Sequence, residues 1–415
     1  MFLRPLTIAA LILGLAVPSY AQPAPGATAT ADAVRGRIKH VFIIYQENHS
    51  FDNYFGTFPG AENLASSAAQ SHGFRQYDTI GKTWVEPFRM TDPDIESTSQ
   101  ARPVTFAKMN GGKMDGFVAA QEQVSLTKFA GDEAAARSVG LETMGYYDCD
   151  TIPFLWKYAR TFALFDHIFS AMTGPSTPNN VAVIAAQSGQ TQWARDPKQA
   201  VATTDKGVGV PLVNDTDPAF GPYGELYKAR EDSQSYATLM LSLAGSDASK
   251  VTQDTDGIGQ DLGATIASGR APIPWGWYQE GYVSPAVALP GYETHHNGPQ
   301  YFGYLRNNDV MWRNVHPVQQ ILTDLHAGSL PSTGVFYVKG GTINSFGWKP
   351  ANPDPYVQAN YRGDDDHPGV GDSDHQVGEA FVATFVNAIA RSKYWNDSAI
   401  VITWDDPGGF YDHVA

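Results

Sequence analysis

Ile38-Lys39-His40-Val41-Phe42-Ile43-Ile44-Tyr45 runs without a break into Gln46-Glu47-Asn48-His49-Ser50-Phe51-Asp52. The first half is nearly continuous in β-branched and aromatic residues, the pattern of a strand buried on both faces of a parallel sheet. The second half is a polar cluster placed where that strand must stop. The same design closes the chain: Ala399-Ile400-Val401-Ile402-Thr403-Trp404 runs into Asp405-Asp406-Pro407-Gly408-Gly409-Phe410-Tyr411-Asp412-His413. In open α/β sheets ligands gather beyond the carboxyl ends of the strands. Glu47, Asn48, Asp405 and Asp406 would meet there as hard oxygen ligands suited to a divalent cation.

Between these ends, strands and helices alternate. Pro274 to Tyr278, Gly334 to Val338 and Phe162 to Phe165 read as further strands. Helices are expected from Pro153, over Val181 to Ala186 and near Pro317 to Ala327. The clearest lies within Asp374 to Arg391, where Val377, Ala380, Phe381, Ala383, Thr384, Phe385, Ala388 and Ile389 share one face. The fold class is α/β: a three-layer sandwich around a mostly parallel sheet. Residues 60–150 are polar and irregular, with Asn110 to Phe117 a turn-rich insert before a short helix, and about 190–270 reads as a partly helical cap. The tail Asp364-Asp365-Asp366 reads as a solvated loop, and His375 as a capping or solvent-facing residue.

Residues 1–21 have the form of a secretory signal peptide: Arg4, an apolar run from Leu6 to Val17, and a small-x-small end at Ser19-Tyr20-Ala21. Residues 22–37 read as a disordered linker and 38–415 as one catalytic domain. Export to the periplasm or medium follows, with no membrane span after cleavage. A single cysteine, Cys149, rules out an intramolecular disulfide and fits a buried thiol. The net charge of −15 argues against nucleic acid and against simple adhesion to anionic lipid.

Four separated segments resemble the bacterial phosphoesterase family of phospholipases C and acid phosphatases, within the alkaline-phosphatase-like superfamily. They are Glu47 to Gly56, Asn110 to Phe117, Gly174-Pro175-Ser176-Thr177-Pro178-Asn179, and Asp405 to Val414. The resemblance implies an alkaline-phosphatase-like sandwich and a phosphate-ester substrate, either a small phosphomonoester or a phospholipid head group. It also implies Ser176 as nucleophile, His296 and His367 as active-site histidines, and Asn179, Asp412 and His413 around the substrate. Glu47, Asn48, Asp405 and Asp406 become the ligands of a divalent metal. A serine nucleophile leans toward the phosphomonoesterase branch. The family's histidine upstream of the Asn-Gly-Gly-Lys-Met-Asp segment has no counterpart in residues 95–109, and Arg102 is the nearest substitute.

Each feature has a plainer meaning when taken singly. An Asp-Asp or Glu-Asn pair after a strand is commonly turn chemistry, and a serine between prolines is commonly a turn residue. A lone histidine is more often structural, the role expected of His49, His72, His167, His316 and His326. The end of the chain at Ala415, just after the last motif, raises the alternative of an inactive remnant that binds metal or phosphate. Sulfatase-like chemistry is disfavoured because no C/S-x-P-x-R motif surrounds Ser176 or Cys149.

Overall fold

The computed structural model describes residues 32–415 except 73, 93–94, 189–214, 216–217, 219–233, 256 and 370–373. The expected signal peptide, most of the linker and much of the cap lie outside the described residues. Residues 32–37 are helical and exposed.

The strands that matter are β1 (His40–Gln46), β2 (Trp275–Gln279), β3 (Val315–Pro317), β4 (Gly334–Lys339), β5 (Gly363–Pro368) and β6 (Ser398–Trp404). Five of them form one parallel sheet in the order β6-β1-β4-β2-β3. Parallel neighbours require long crossovers, and helices α1 (Phe51–Phe55), α2 (Pro153–Thr161), α3 (Ser176–Ala185), α4 (Val318–Ala327) and α5 (His375–Arg391) belong to those connections.

Period-two alternation along the strands sorts the core into two layers. Phe42, Ile44, Phe336, Val338 and Tyr278 pack on one face with Val318, Ile321 and Leu325 of α4 and Phe381, Phe385 and Ile389 of α5. Trp275, Trp277 and Tyr337 point to the other face, where they meet Val181 and Ile184 of α3 together with Met240 and Leu241. The Phe42 and Phe336 rings are 5.3 Å apart on the first face, and Trp277 stacks on Tyr337 at 5.2 Å on the second. Burying side chains of this size contributes roughly 1.5–3 kcal/mol each. The sandwich is therefore held from both sides, as expected of nearly continuous apolar strands.

Register does the positioning. Gln46 lies opposite Trp404 and Tyr45 opposite Lys339. Strands β1, β4 and β6 thus end level with one another, and the residues that follow β1 and β6 emerge side by side.

Five expectations need correction. Residues 60–150 carry helices over Arg102–Met109, Phe117–Lys128 and Glu133–Glu142 instead of being irregular, and Cys149 is half-buried, not buried. Phe162 to Phe165 is not a strand. It is an irregular segment in which Phe162, Phe165, Ile168 and Phe169 are exposed, because no neighbouring strand is there to take up its hydrogen bonds. Asp364, Asp365 and Asp366 are fully buried in β5 instead of forming a solvated loop. His375 is buried and stacks on Tyr147 at 3.9 Å.

Candidate active site

Glu47 and Asn48 leave β1, and Asp405 and Asp406 leave β6. Their approach is fixed by backbone. Asn48 takes a left-handed conformation (φ 65°), and its N–H donates to Asp405 Oδ1 at 2.9 Å. The N–H of Asp406 donates to the same oxygen at 2.7 Å, and that of Gly408 to Asp406 Oδ1 at 2.6 Å. Gly408 (φ 63°) passes so close that a Cβ there would lie 2.0 Å from the Asn48 carbonyl oxygen. Only glycine permits both the conformation and the approach.

Ser176 is the first residue of α3, where uncompensated backbone N–H groups favour negative charge. Its Oγ lies 3.1 Å from the Asn48 side-chain oxygen and 3.3 Å from Asp406 Oδ2. The Asn48 oxygen is also 3.1 Å from both carboxylate oxygens of Asp406. Reversing the amide would turn its NH₂ to these oxygens and its carbonyl to His367 Nε2 at 2.9 Å. In the first orientation, the Asn48 oxygen faces the Ser176 hydroxyl and both Asp406 carboxylate oxygens, with Gln100 Nε2 at 3.3 Å. Glu47 Oε2 and Asp405 Oδ2 are buried without a hydrogen-bond partner.

Burial, then the neighbouring Asp405, push the Glu47 and Asp406 carboxyls well above the ordinary carboxylate range. Tyr45 beneath them is raised mainly by burial and then by Asp405. Convergent, poorly compensated oxygens of this kind are what a divalent cation satisfies. Glu47, Asn48, Asp405 and Asp406 therefore fit the expected metal.

Histidines and a lysine complete the wall. His296 is buried, with Nε2 3.4 Å from Glu47 Oε2 and Nδ1 3.6 Å from Asp365 Oδ2. Burial first, then His295 and Lys339, hold its pKa well below the usual histidine value, so it is neutral. The backbone N–H of His367 donates to Asp365 Oδ1 at 3.1 Å. Lys339, at the end of β4, donates from Nζ to Glu47 Oε1. A cavity of about 440 Å³ opens beside Pro175, lined by Ser99, Gln100, Asp215 and His367. Asp215 accepts from Thr177 N–H at 3.0 Å in the first turn of α3.

A family model described as the Phosphoesterase family matches residues 38–415. The chain belongs to that family. Over 400 residues it is 24% identical to a non-hemolytic phospholipase C of Burkholderia pseudomallei, covering 91% of this chain and 45% of that protein. A hemolytic phospholipase C of Pseudomonas aeruginosa is 23% identical over 391 residues, 91% of this chain and 43% of that protein. Phospholipase C A of Mycobacterium tuberculosis is 30% identical over 163 residues, 36% of this chain and 29% of that one. The chain thus spans less than half the length of the first two relatives.

In this Phosphoesterase-family chain, then, Glu47, Asn48, Asp405, Asp406, Ser176, His296 and His367 come together. Asn179 sits one turn beyond Ser176, but its amide is engaged by the preceding loop. It accepts from Met172 N–H at 2.9 Å and donates to the carbonyls of Met172, Gly174 and Pro175 at 3.1, 3.4 and 3.1 Å. It therefore shapes the turn that presents Ser176. Asp412 and His413 gather around Asp52: His413 Nδ1 lies 2.8 Å from Asp52 Oδ2. Arg102 donates to the Thr173 carbonyl at 2.8 Å, bracing the same turn.

Lys339, Asp365 and Lys108 were missed by sequence reasoning. Lys339 follows the apolar run Val335 to Val338 and could have been found by the rule that singled out Glu47. Lys108 is buried under the terminal motif, donating to the carbonyls of Ser99 and Gly409 at 2.9 and 3.0 Å. Burial lowers its pKa to about 7, against the opposing pull of Asp406. Nothing in its local sequence marks it as buried.

Proposed function

We propose that this protein hydrolyses phosphoric esters through a phosphoserine intermediate at Ser176. The observation that carries this reading is the convergence of Ser176 Oγ with the oxygens of Asn48 and Asp406 at 3.1 and 3.3 Å, beside Glu47 Oε2 and Asp405 Oδ2, which are buried without a hydrogen-bond partner. A divalent ion held by Glu47, Asn48, Asp405 and Asp406 would supply charge neutralisation for the phosphoryl oxygens. Ser176 Oγ attacks phosphorus, forming an O–P bond as the P–O bond to the leaving group breaks. Asp406 Oδ2 accepts the hydroxyl proton. His367, which lines the open cavity, protonates the leaving alkoxide, a role worth roughly 10²–10⁴-fold. Water then attacks phosphorus and gives its proton to His367 as the Ser176 Oγ–P bond breaks and Asp406 Oδ2 returns its proton to Oγ, releasing phosphate or a phosphorylated head group. Neutral His296 stays in the wall, beside Glu47 and Asp365. Asn179 presents the serine, while Asp412 and His413 support the loop behind it.

Two substrate classes follow from different observations. The similarity to phospholipases C along 91% of this chain favours release of a phosphorylated head group from a phospholipid. The serine nucleophile favours a small phosphomonoester. Turnover of an aryl phosphate compared with phosphatidylcholine decides between them. Loss of both activities in Ser176→Ala is expected, and equal activity in that variant would remove the nucleophile assignment. Export, through cleavage of residues 1–21, belongs to the same reading and is checked by the N-terminal sequence of the exported protein.

A further inference from the structure

Residues 97–100 pass beside the strand-end cradle and are tied to it through backbone. Thr98 Oγ1 donates to the Gly408 carbonyl, and buried Lys108 donates to the carbonyls of Ser99 and Gly409 at 2.9 and 3.0 Å. The Ser99 N–H donates to Gln121 Oε1 at 2.8 Å, and Thr105 Oγ1 donates to the Gln100 carbonyl at 3.1 Å. Gln100 is only 8% exposed, and it lines the open cavity with His367 and Pro175. Its side-chain amide, unlike the groups around it, is uncommitted. Among the described residues its one polar approach is that of Nε2 to within 3.3 Å of the Asn48 side-chain oxygen. A polar side chain buried to this extent ordinarily has a partner.

The same Asn48 oxygen is 3.1 Å from Ser176 Oγ, so a single atom separates the Gln100 amide from the serine hydroxyl. A phosphoryl group in transfer spreads negative charge over its equatorial oxygens, which need a cation or a hydrogen-bond donor. The side-chain donors near the cradle are mostly spent. Arg102 donates to the Thr173 carbonyl, Lys339 to Glu47, Lys108 to two carbonyls and Asn179 to the loop before Ser176. At the start of α3 the Thr177 N–H goes to Asp215, and Pro178 has no N–H to give. The geometry points to Gln100 as a further catalytic residue, an inference that rests on the Ser176 reading: its NH₂ donates to a non-bridging oxygen of the phosphoryl group as that group passes to Ser176 Oγ.

A side-chain amide suits this place. It carries two N–H groups, one for the Asn48 oxygen and one for the phosphoryl oxygen, and it adds no charge beside the carboxylates. Its hydrogen bond strengthens as charge gathers on the oxygen, so it favours the transition state over the bound ester and acts on kcat more than on KM. Non-bridging oxygens are common to phosphomonoesters and phosphodiesters. Loss of the donor therefore costs the same factor whichever ester the protein turns over.

The test uses the full chain saturated with divalent metal, with an aryl phosphate and phosphatidylcholine as substrates. Gln100→Ala should lower kcat about 10²–10³-fold, the loss found on removing one donor of this kind, with KM changed less than about threefold. Gln100→Glu keeps the shape but replaces the donor by a carboxylate, so it should lose more than Gln100→Ala; Gln100→His restores an N–H and should recover part of the loss. Orthovanadate, which adopts the five-coordinate geometry of the transferring group, should inhibit Gln100→Ala about 10²-fold more weakly than wild type. If Gln100→Ala fails to fold, the isosteric Gln100→Glu carries the comparison. Wild-type kcat in a folded variant overturns the proposal. So does a loss of kcat that saturating metal repairs while vanadate inhibition is unchanged, the outcome of a merely structural role. Phosphorylation of Ser176 in the wild type is read separately: if it is found while Gln100→Ala turns over normally, the inference about Gln100 fails and the Ser176 reading stands.

Discussion

Gly408→Ala should separate the geometry of the site from its inventory of residues, because it changes no group that touches substrate. An added Cβ would lie 2.0 Å from the Asn48 carbonyl oxygen, 2.6 Å from its carbon and 3.0 Å from the Phe410 ring. Ordinary contact begins at about 3.4 Å, so Asn48 and the 405–409 loop must part by about 1.4 Å. A left-handed conformation costs an alanine about 1–2 kcal/mol. A displacement of about 1 Å at a reacting centre can lower turnover about 10²-fold. The expected result is a folded protein, melting a few degrees lower, with kcat reduced about 10²-fold and weaker dependence on added metal. Activity on an aryl phosphate, circular dichroism and thermal melts measure the three quantities. A folded variant with wild-type kcat would refute the claim that this backbone contact sets the position of Asn48.

Other outcomes follow from the same structure. Lys339→Met removes the cation that Glu47 Oε1 accepts from and leaves that carboxylate buried with less compensation; a loss of stability of about 3 kcal/mol or more in the metal-free protein, relieved by saturating metal, is expected in denaturant titrations. Glu379 is pushed up to about 8, chiefly by burial, while its Oε1 accepts from Phe154 and Leu155 N–H. A raised carboxyl contributes stability fully present below about pH 4.5 and lost as pH rises through about 8, so wild type should lose stability relative to Glu379→Gln across that interval. Identical pH dependence of the two melting curves would contradict this. Removing metal with a chelator should abolish phosphoester hydrolysis, and adding back a divalent ion should restore it.

The sheet and the strand-end oxygens were legible because two independent signals agreed. The apolar runs of β1 and β6 said where strands end, and Glu47, Asn48, Asp405 and Asp406 stood just beyond them. The register of Gln46 with Trp404 then explains why residues more than 350 positions apart meet. Helix α5 was legible from its 3.6-residue period alone. The strand expected at Phe162 to Phe165 failed because apolar composition cannot supply a pairing partner. Asp364 to Asp366 looked like a solvated run, yet tertiary bonds bury them: Asp366 accepts from Tyr54 at 2.6 Å and from Trp404 at 2.7 Å. Those partners come from remote segments, and no local pattern announces them. The same holds for Lys339 and Asp365, whose roles depend on which strands lie side by side.

In the proposed reaction Ser176 carries the phosphoryl group during turnover. Acid quenching of the metal-loaded protein during hydrolysis, followed by peptide mass spectrometry, tests it directly. One added phosphoryl group on the peptide containing Ser176, absent in Ser176→Ala, is the predicted result. Steady turnover with that peptide unmodified, or with the label on another residue, would contradict it.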